Sequence, residues 1–286
     1  MTSSDDDPKA SGADATGQHS FLLPLDDGDI HVCEDGPSDA PALLLIHGSA
    51  SSTRSWNEMI PLLSPSLRLI RVDLLGHGRS GKPADRSYAL PDQARRVGLV
   101  LDRLGVEHVV AIGHSSGGTV AVALAEDRPG LVTALALINT GPGLDAFIPA
   151  ETAAIDPSQW PLTDEQLRVF ASTSVSRAGY RIPEELLDDV RAMTRHTLTT
   201  TMLATRTYLE QRRLPDRLRD LGKPLLVVFG EEDRRWRPSS AFDYRAVPGA
   251  EIVLLPGLGH SPLLEDPPRT AAPLLAFTAL HAVRGD

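Results

Sequence analysis

The spacing of apolar positions changes period several times along the chain, and each change marks an element. "FLLPL" (21–25) and "DIHV" (29–32) flank Asp27-Gly28, which predicts an opening hairpin. "ALLLI" (42–46) has no polar alternation, as a strand covered on both faces requires. "RLIRVDL" (68–74), "HVVAIG" (108–113) and "VTALALIN" (132–139) predict further strands. The segments between them follow a helical period. In 92–105, Val97, Val100, Leu101 and Leu104 fall at helical spacing and Gly105 suits a stop. The stretch 116–130 reads as a small-residue helix closed by Pro129 and Gly130.

The rhythm breaks after Asn139. From Gly141 to about Gly222 the sequence predicts helices and no strands. One covers 183–196, with Pro183 at a first helical position and Glu184 and Glu185 in the opening turn; another covers 200–213. Strand patterns resume at "PLLVVFG" (224–230) and "EIVLLPG" (251–257), and a last helix is expected over 268–283, with Pro273 disturbing its first turn. Repeated strand–helix alternation implies a mostly parallel sheet with helices on both faces. The expected division is a disordered acidic tail at 1–18, a core at 19–140 and 223–286, and a helical cap at 141–222.

Composition narrows the function classes. The 286 residues are 41% hydrophobic, enough for a sizeable core, and the net charge of −10 argues against a nucleic-acid partner, which needs a basic face. The single cysteine, Cys33, cannot close an internal disulfide. No apolar run approaches the ~18 residues of a membrane span, and the N-terminus lacks a basic start and apolar stretch, so the expected location is the cytoplasm. A homodimer is compatible with the sequence, but nothing indicates one.

The chemistry concentrates in "AIGHSSGGTV" (111–120). A plain turn needs one glycine, whereas this corner carries Gly113, Gly117 and Gly118 around Ser115. Tiny residues two before and two after Ser115 allow a sharp strand-to-helix turn that presents its hydroxyl near the positive end of a helix. A serine hydroxyl needs a base to act as a nucleophile. Of the nine histidines, His260 fits best, because it follows a strand in the glycine-rich loop "PGLGHSPLLEDPP". Its ring needs an acid, and Asp233 stands at another strand end. An oxyanion needs two donors, assigned to the backbone N–H groups of Ser49 and Ser116, with Ala50 a weaker option. His47, His77 and His114 match no metal-ligand spacing, and Asp73 is expected to fix a loop. The run "DRRWRPSS" has two readings, a solvated loop or arginines that attract an acidic substrate.

Five ordered motifs, "LLLIHGS" (43–49), "VDLLGHGRS" (72–80), "IGHSSGG" (112–118), "VFGEED" (228–233) and "LPGLGHSPLLEDP" (255–267), resemble the α/β-hydrolase superfamily, in its capped, serine-nucleophile, esterase- and lipase-like branch. The resemblance implies an eight-stranded, mostly parallel α/β sheet with the cap inserted after the sixth strand. It also implies acyl transfer by Ser115, His260 and Asp233 in the chain order Ser, Asp, His, on a small or medium ester, thioester or lactone, with no cofactor and no metal. Serine in place of the aspartate found in epoxide hydrolases and haloalkane dehalogenases disfavours those chemistries. C–C bond hydrolysis and a perhydrolase or haloperoxidase-like reaction share the same residues. A non-catalytic ligand-binding protein is the alternative from another class.

Overall fold

A computed structural model of the chain describes residues 19–149, 160–177 and 179–283. The tail expected at 1–18 lies outside the described residues. Strands β1 (His19–Leu23) and β2 (Ile30–Asp35) form the opening hairpin, with Phe21 opposite Val32. β3 (Ala42–Ile46) follows. A 3-10 helix, Thr53–Met59, then leads through the short α1 (Ile60–Leu63) to β4 (Arg68–Val72). α2 (Leu90–Arg103), β5 (Val109–His114), α3 (Ser116–Asp127) and β6 (Val132–Ile138) continue the alternation. The next helices are α4 (Asp164–Ser172), α5 (Glu184–Arg191), α6 (Arg195–Gln211) and α7 (Leu214–Leu221). The chain ends with β7 (Leu225–Gly230), a 3-10 helix Pro238–Ala246, β8 (Glu251–Leu255), α8 (Pro262–Glu265) and α9 (Pro267–His281).

The eight strands form one sheet in the order β1-β2-β4-β3-β5-β6-β7-β8. β1–β2 and β2–β4 are antiparallel, and every other pair is parallel. The continuous apolar runs of β3, β5, β6 and β7 follow from this arrangement, because successive residues enter opposite cores. Leu44, Ile46, Leu135 and Val227 pack with Val97, Val120, Leu124 and Leu218 under α2, α3 and α7. Leu43, Leu45, Ile112, Ala136 and Val228 pack with Trp56, Leu63, Leu263, Leu274 and Phe277 on the other face. Parallel strands of this kind bring their carboxyl ends to one edge, which fixes where loop-borne side chains can meet.

The helical segment between β6 and β7 is organised differently from the sequence-based expectation. The helix expected over 183–196 ends at Arg191, and α6 begins at Arg195 rather than 200. Thr194 sets that start, since its side chain accepts the Thr197 N–H while Thr197 bonds back to it. α4 and α7 were not expected. α4 is defined by a capping box of Thr163 and Gln166, and α7 carries Pro215 in its first turn. Ala50, Leu167, Val190, Met193 and Leu198 make a small separate core that joins this segment to the loop after β3. Tyr208 sits in the larger core and donates its hydroxyl to Glu126 on α3 at 2.7 Å. α9 runs through Pro273 with its first turn undisturbed, because Asp266 caps it and Pro267 and Pro268 open it. Among the described residues, no helix is long and apolar enough to cross a membrane, and no group of three or more His, Cys, Asp or Glu is placed to hold a metal ion.

Candidate active site

The turn from β5 into α3 passes through Ser115. Ser115 has φ +54° and ψ −122°, a region that non-glycine residues rarely occupy. The turn is held on both sides: the Ser115 N–H donates to Ile138 O at 2.9 Å, and its carbonyl accepts from Gly118 N at 3.0 Å and the Thr140 hydroxyl at 3.0 Å. The flanking glycines are steric necessities. A Cβ on Gly113 would lie 2.4 Å from the carbonyl carbon and oxygen of Gly117, and one on Gly117 would lie 2.3 Å from Ile46 O. Those contacts are with backbone, which cannot swing aside.

His260 arrives in the loop after β8 and is almost completely buried. Its Nε2 lies 3.0 Å from Ser115 Oγ, and its Nδ1 lies 2.9 Å from Asp233 Oδ2. With Nδ1–H donating to the carboxylate, Nε2 is left to accept the serine proton. The His260 carbonyl accepts from His114 Nε2 at 2.8 Å, and burial followed by the neighbouring His260 lowers His114 to about 3 and keeps it neutral. Asp233 stands just past β7. Burial pushes its pKa up, but the His260 ring, the Asn139 amide and the Arg235 N–H together outweigh burial and hold it below the ordinary carboxylate value. Its Oδ1 accepts from the backbone N–H of Arg235 at 2.7 Å and of Trp236 at 3.2 Å, and its Oδ2 also accepts from Asn139 Nδ2 at 2.8 Å.

Two further buried polar residues, neither marked by a motif spacing, support the site. Asn139, at φ +45°, bonds Asp233, donates to Gly259 O at 3.2 Å and accepts from Gly230 N at 3.2 Å. It thereby joins the ends of β6 and β7 to the His260 loop. Its place one residue past a buried strand, beside the acid's strand, was the available hint. Glu265, buried in α8, accepts from Gly259 N at 2.9 Å and from the N–H groups of Ser176 and Arg177 at 2.9 and 2.6 Å. It ties the His260 loop to the helical segment.

Ser49 and Ser116 meet on the other side of Ser115. The Ser49 hydroxyl donates to Ser116 Oγ at 2.8 Å, and Ser116 is the first residue of α3, where backbone N–H groups have no intrahelical acceptor. His47 braces this loop, with Nδ1–H donating to Gly48 O at 2.7 Å and Nε2 accepting from Leu74 N at 3.0 Å. Asp73 lies apart from the site. It accepts from the N–H groups of Thr53 and Arg79 at 2.6 and 2.8 Å and faces His31 Nδ1 at 2.8 Å, so it secures the loops after β3 and β4. A cavity of about 70 Å³ opens over Ser115 and His260, walled by Ser49, Ala50, Phe170, Leu187, Val190 and Arg235. Apart from Ser174, the walls contributed by the helical segment are apolar, and Arg235, from the loop after β7, adds a cation.

Of the arginines after Asp233, Arg234 and Arg237 are exposed and Arg235 is partly buried, and Arg234 and Arg235 are bonded to the helical segment. Arg235 donates to Thr173 Oγ1 at 3.0 Å, Ser174 Oγ at 2.7 Å and Phe170 O at 3.3 Å, and Arg234 donates to Ser172 O at 3.2 Å and Val175 O at 2.5 Å. Cations thus meet the carbonyl end of α4, where the helix dipole favours them. A second tie comes from α5. The Ser52 hydroxyl donates to Asp189 Oδ2 at 2.5 Å and Arg54 approaches Oδ1 at 3.3 Å, yet burial pushes Asp189 up to about 6.

A strained serine on a strand-to-helix corner, in a sheet of this order, belongs to a known architecture, and the comparison with family models agrees. The model of the alpha/beta hydrolase family matches residues 43–272. The chain belongs to the α/β hydrolase family. Among its relatives, LipZ of Mycobacterium tuberculosis (strain ATCC 25618 / H37Rv), named as a hydrolase, is 31% identical over 278 residues, covering 89% of this chain and 94% of that protein. A Bacillus subtilis (strain 168) protein named as a 2-succinyl-6-hydroxy-2,4-cyclohexadiene-1-carboxylate synthase is 27% identical, covering 82% of this chain and 89% of that protein. The enol-lactonase of Burkholderia xenovorans LB400 superposes with a TM-score of 0.78 at 20% identity, covering 91% of this chain and all of that one, a likeness of fold. As an α/β hydrolase, the chain carries the loops of Ser115, Asp233 and His260 at the carboxyl edge of the sheet.

Proposed function

We propose that this α/β hydrolase is a cofactor-independent serine hydrolase that cleaves a small or medium carboxylic ester, thioester or lactone through an acyl-enzyme. The observation that carries the reading is the unbroken line from Ser115 Oγ to His260 Nε2 at 3.0 Å and from His260 Nδ1 to Asp233 Oδ2 at 2.9 Å. Ser115 Oγ attacks the substrate carbonyl while His260 Nε2 takes its proton. The tetrahedral oxyanion is held by the backbone N–H groups of Ser49 and Ser116. His260 returns the proton to the leaving alcohol, which departs and leaves Ser115 acylated. Water, deprotonated by the same nitrogen, then attacks the ester carbonyl, and collapse releases the acid and restores the hydroxyl. Asp233 keeps the ring in the tautomer that can accept. The segment from 141 to 222 is the cap: α4 and α5 roof the cavity with apolar side chains and exclude water from the reacting atoms. The small volume beneath them favours a short acyl group.

The test is labelling with a fluorophosphonate probe together with hydrolysis of 4-nitrophenyl esters of graded chain length. The wild-type protein is expected to be labelled at Ser115. Ser115→Ala should lose labelling and lower kcat by several orders of magnitude, since members of such a triad act as a unit. Retained turnover in Ser115→Ala would dismiss Ser115 as the nucleophile.

A further inference from the structure

A second, smaller cavity lies behind the Ser49–Ser116 pair. It measures about 20 Å³ and is walled by Ser49, Ser116, His77, Gln93, Thr201 and Thr205, with Leu74, Tyr88, Leu90 and Val120 closing the rest. That volume admits one water-sized group. Two of its walls carry buried polar atoms, His77 Nε2 and Gln93 Oε1, that have no hydrogen-bond partner among the described residues. Each residue is only 3% exposed. An unpaired polar atom at that depth costs stability unless something meets it.

The chemistry of the two atoms is the same. Gln93 Nε2 donates to Leu75 O at 2.9 Å, which leaves its carbonyl oxygen over as an acceptor. His77 Nδ1 faces the same carbonyl at 3.4 Å and so carries its hydrogen there, which leaves Nε2 as an acceptor. Burial, then the neighbouring His47, lowers His77 to about 3, so the ring stays neutral. Thr201, Thr205 and Tyr88 spend their hydroxyl hydrogens on Thr197 O, Thr201 O and Pro83 O. The cavity thus presents two unpaired acceptors beside the Ser116 hydroxyl, which accepts from Ser49 and keeps its own hydrogen to donate, with no carboxylate in its walls to offset a cation. The group that satisfies it is a neutral donor.

We propose that this cavity is a binding subsite that takes a hydroxyl of the substrate, which donates its one hydrogen to Gln93 Oε1 or to His77 Nε2. Ser49 lines both this cavity and the one over Ser115, so a donor a few bonds from the scissile carbonyl reaches the subsite while the carbonyl meets Ser115. The subsite extends the reading of Ser115 as the nucleophile by naming a substrate class: esters or lactones that bear a hydroxyl near the carbonyl.

The experiment compares kcat/KM for 4-nitrophenyl butanoate with its 2-hydroxy and 3-hydroxy derivatives, each divided by its rate of uncatalysed hydroxide hydrolysis. At least one donor-bearing ester is expected to be preferred about fivefold, the factor corresponding to a typical net hydrogen bond. Gln93→Leu, which leaves His77 Nε2 as the remaining acceptor, should lower that ratio at least about twofold. Thr205→Leu, which fills the cavity from α6 and leaves both acceptors in place, should do the same, so a folding failure of the first variant leaves the test standing. In parallel, ligand-observed NMR compares the binding of methyl 3-hydroxybutanoate and methyl butanoate to Ser115→Ala. Hydrolysis of butanoate with no donor preference in any ester, or a preference that survives both variants, overturns the subsite and leaves the hydrolase; the two acceptors then serve a water only. Donor-selective binding without hydrolysis of any ester overturns the hydrolase and keeps the subsite.

Discussion

Asn139→Gly isolates what one side chain does for the acid of the proposed triad. Glycine accepts φ +45° more readily than asparagine, so the change removes the amide without adding backbone strain. Three bonds are lost: the 2.8 Å donation to Asp233, the 3.2 Å donation to Gly259 O and the 3.2 Å acceptance from Gly230 N. A hydrogen bond to a charged group is worth about 1.5–3 kcal/mol, and about 1.4 kcal/mol is tenfold in rate. Asp233 keeps the backbone donors of Arg235 and Trp236 and its bond to His260, so the expected loss in kcat is at the lower end, about tenfold. KM should stay within about twofold, because Asn139 is not among the residues walling the cavity over Ser115. The orphaned Gly230 N–H adds a stability cost of about 1–3 kcal/mol. The assay is steady-state hydrolysis of 4-nitrophenyl acetate with thermal melting alongside. Asn139→Asp, which sets a second carboxylate against Asp233, should slow the reaction further. A kcat within twofold of wild type in Asn139→Gly, with the melting temperature lowered, would make Asn139 a structural residue only and refute the reasoning.

Two further outcomes are expected. Asp189 binds its proton more tightly folded than unfolded, since burial raises it from 3.8 to about 6, and a shift of that size corresponds to about 3 kcal/mol. Its protonation stabilises the fold fully below about pH 3.8, and that contribution is lost as pH rises through about 6. Melting of the wild type and Asp189→Asn from pH 4 to 8 should therefore show the wild type losing ground to the variant with rising pH; a constant difference would refute the buried-carboxylate account. Arg235→Met removes the three side-chain bonds that pin residues 170–174 over the cavity. It should raise KM about fivefold or more for neutral esters and anionic ones alike, whereas a rise confined to anionic esters would restore the reading of Arg235 as a charge attractor.

The buried strands and the corner at Ser115 were legible in the sequence because their causes are local. A parallel strand covered on both faces must be apolar at every position, so "ALLLI" and "HVVAI" announce themselves without their partners. Likewise the backbone contacts around Gly113 and Gly117 forbid a Cβ, so the turn is written into five consecutive residues. Helix limits between β6 and β7 were less legible, since short amphipathic pieces joined by caps such as Thr163 and Thr194 share one periodicity across their breaks.

Tertiary structure alone decided the supports of the site. Asn139 meets a carboxylate 94 residues away, Glu265 meets the backbone of residues 89 and 88 positions earlier, and Arg235 meets Ser174 61 positions back. None of these contacts leaves a period or spacing in the chain, because each depends on two strand ends or loops being brought side by side. The same holds for the acceptors of His77 and Gln93. The sequence shows two polar residues on separate elements, and only folding buries both against one cavity beside Ser49 and Ser116.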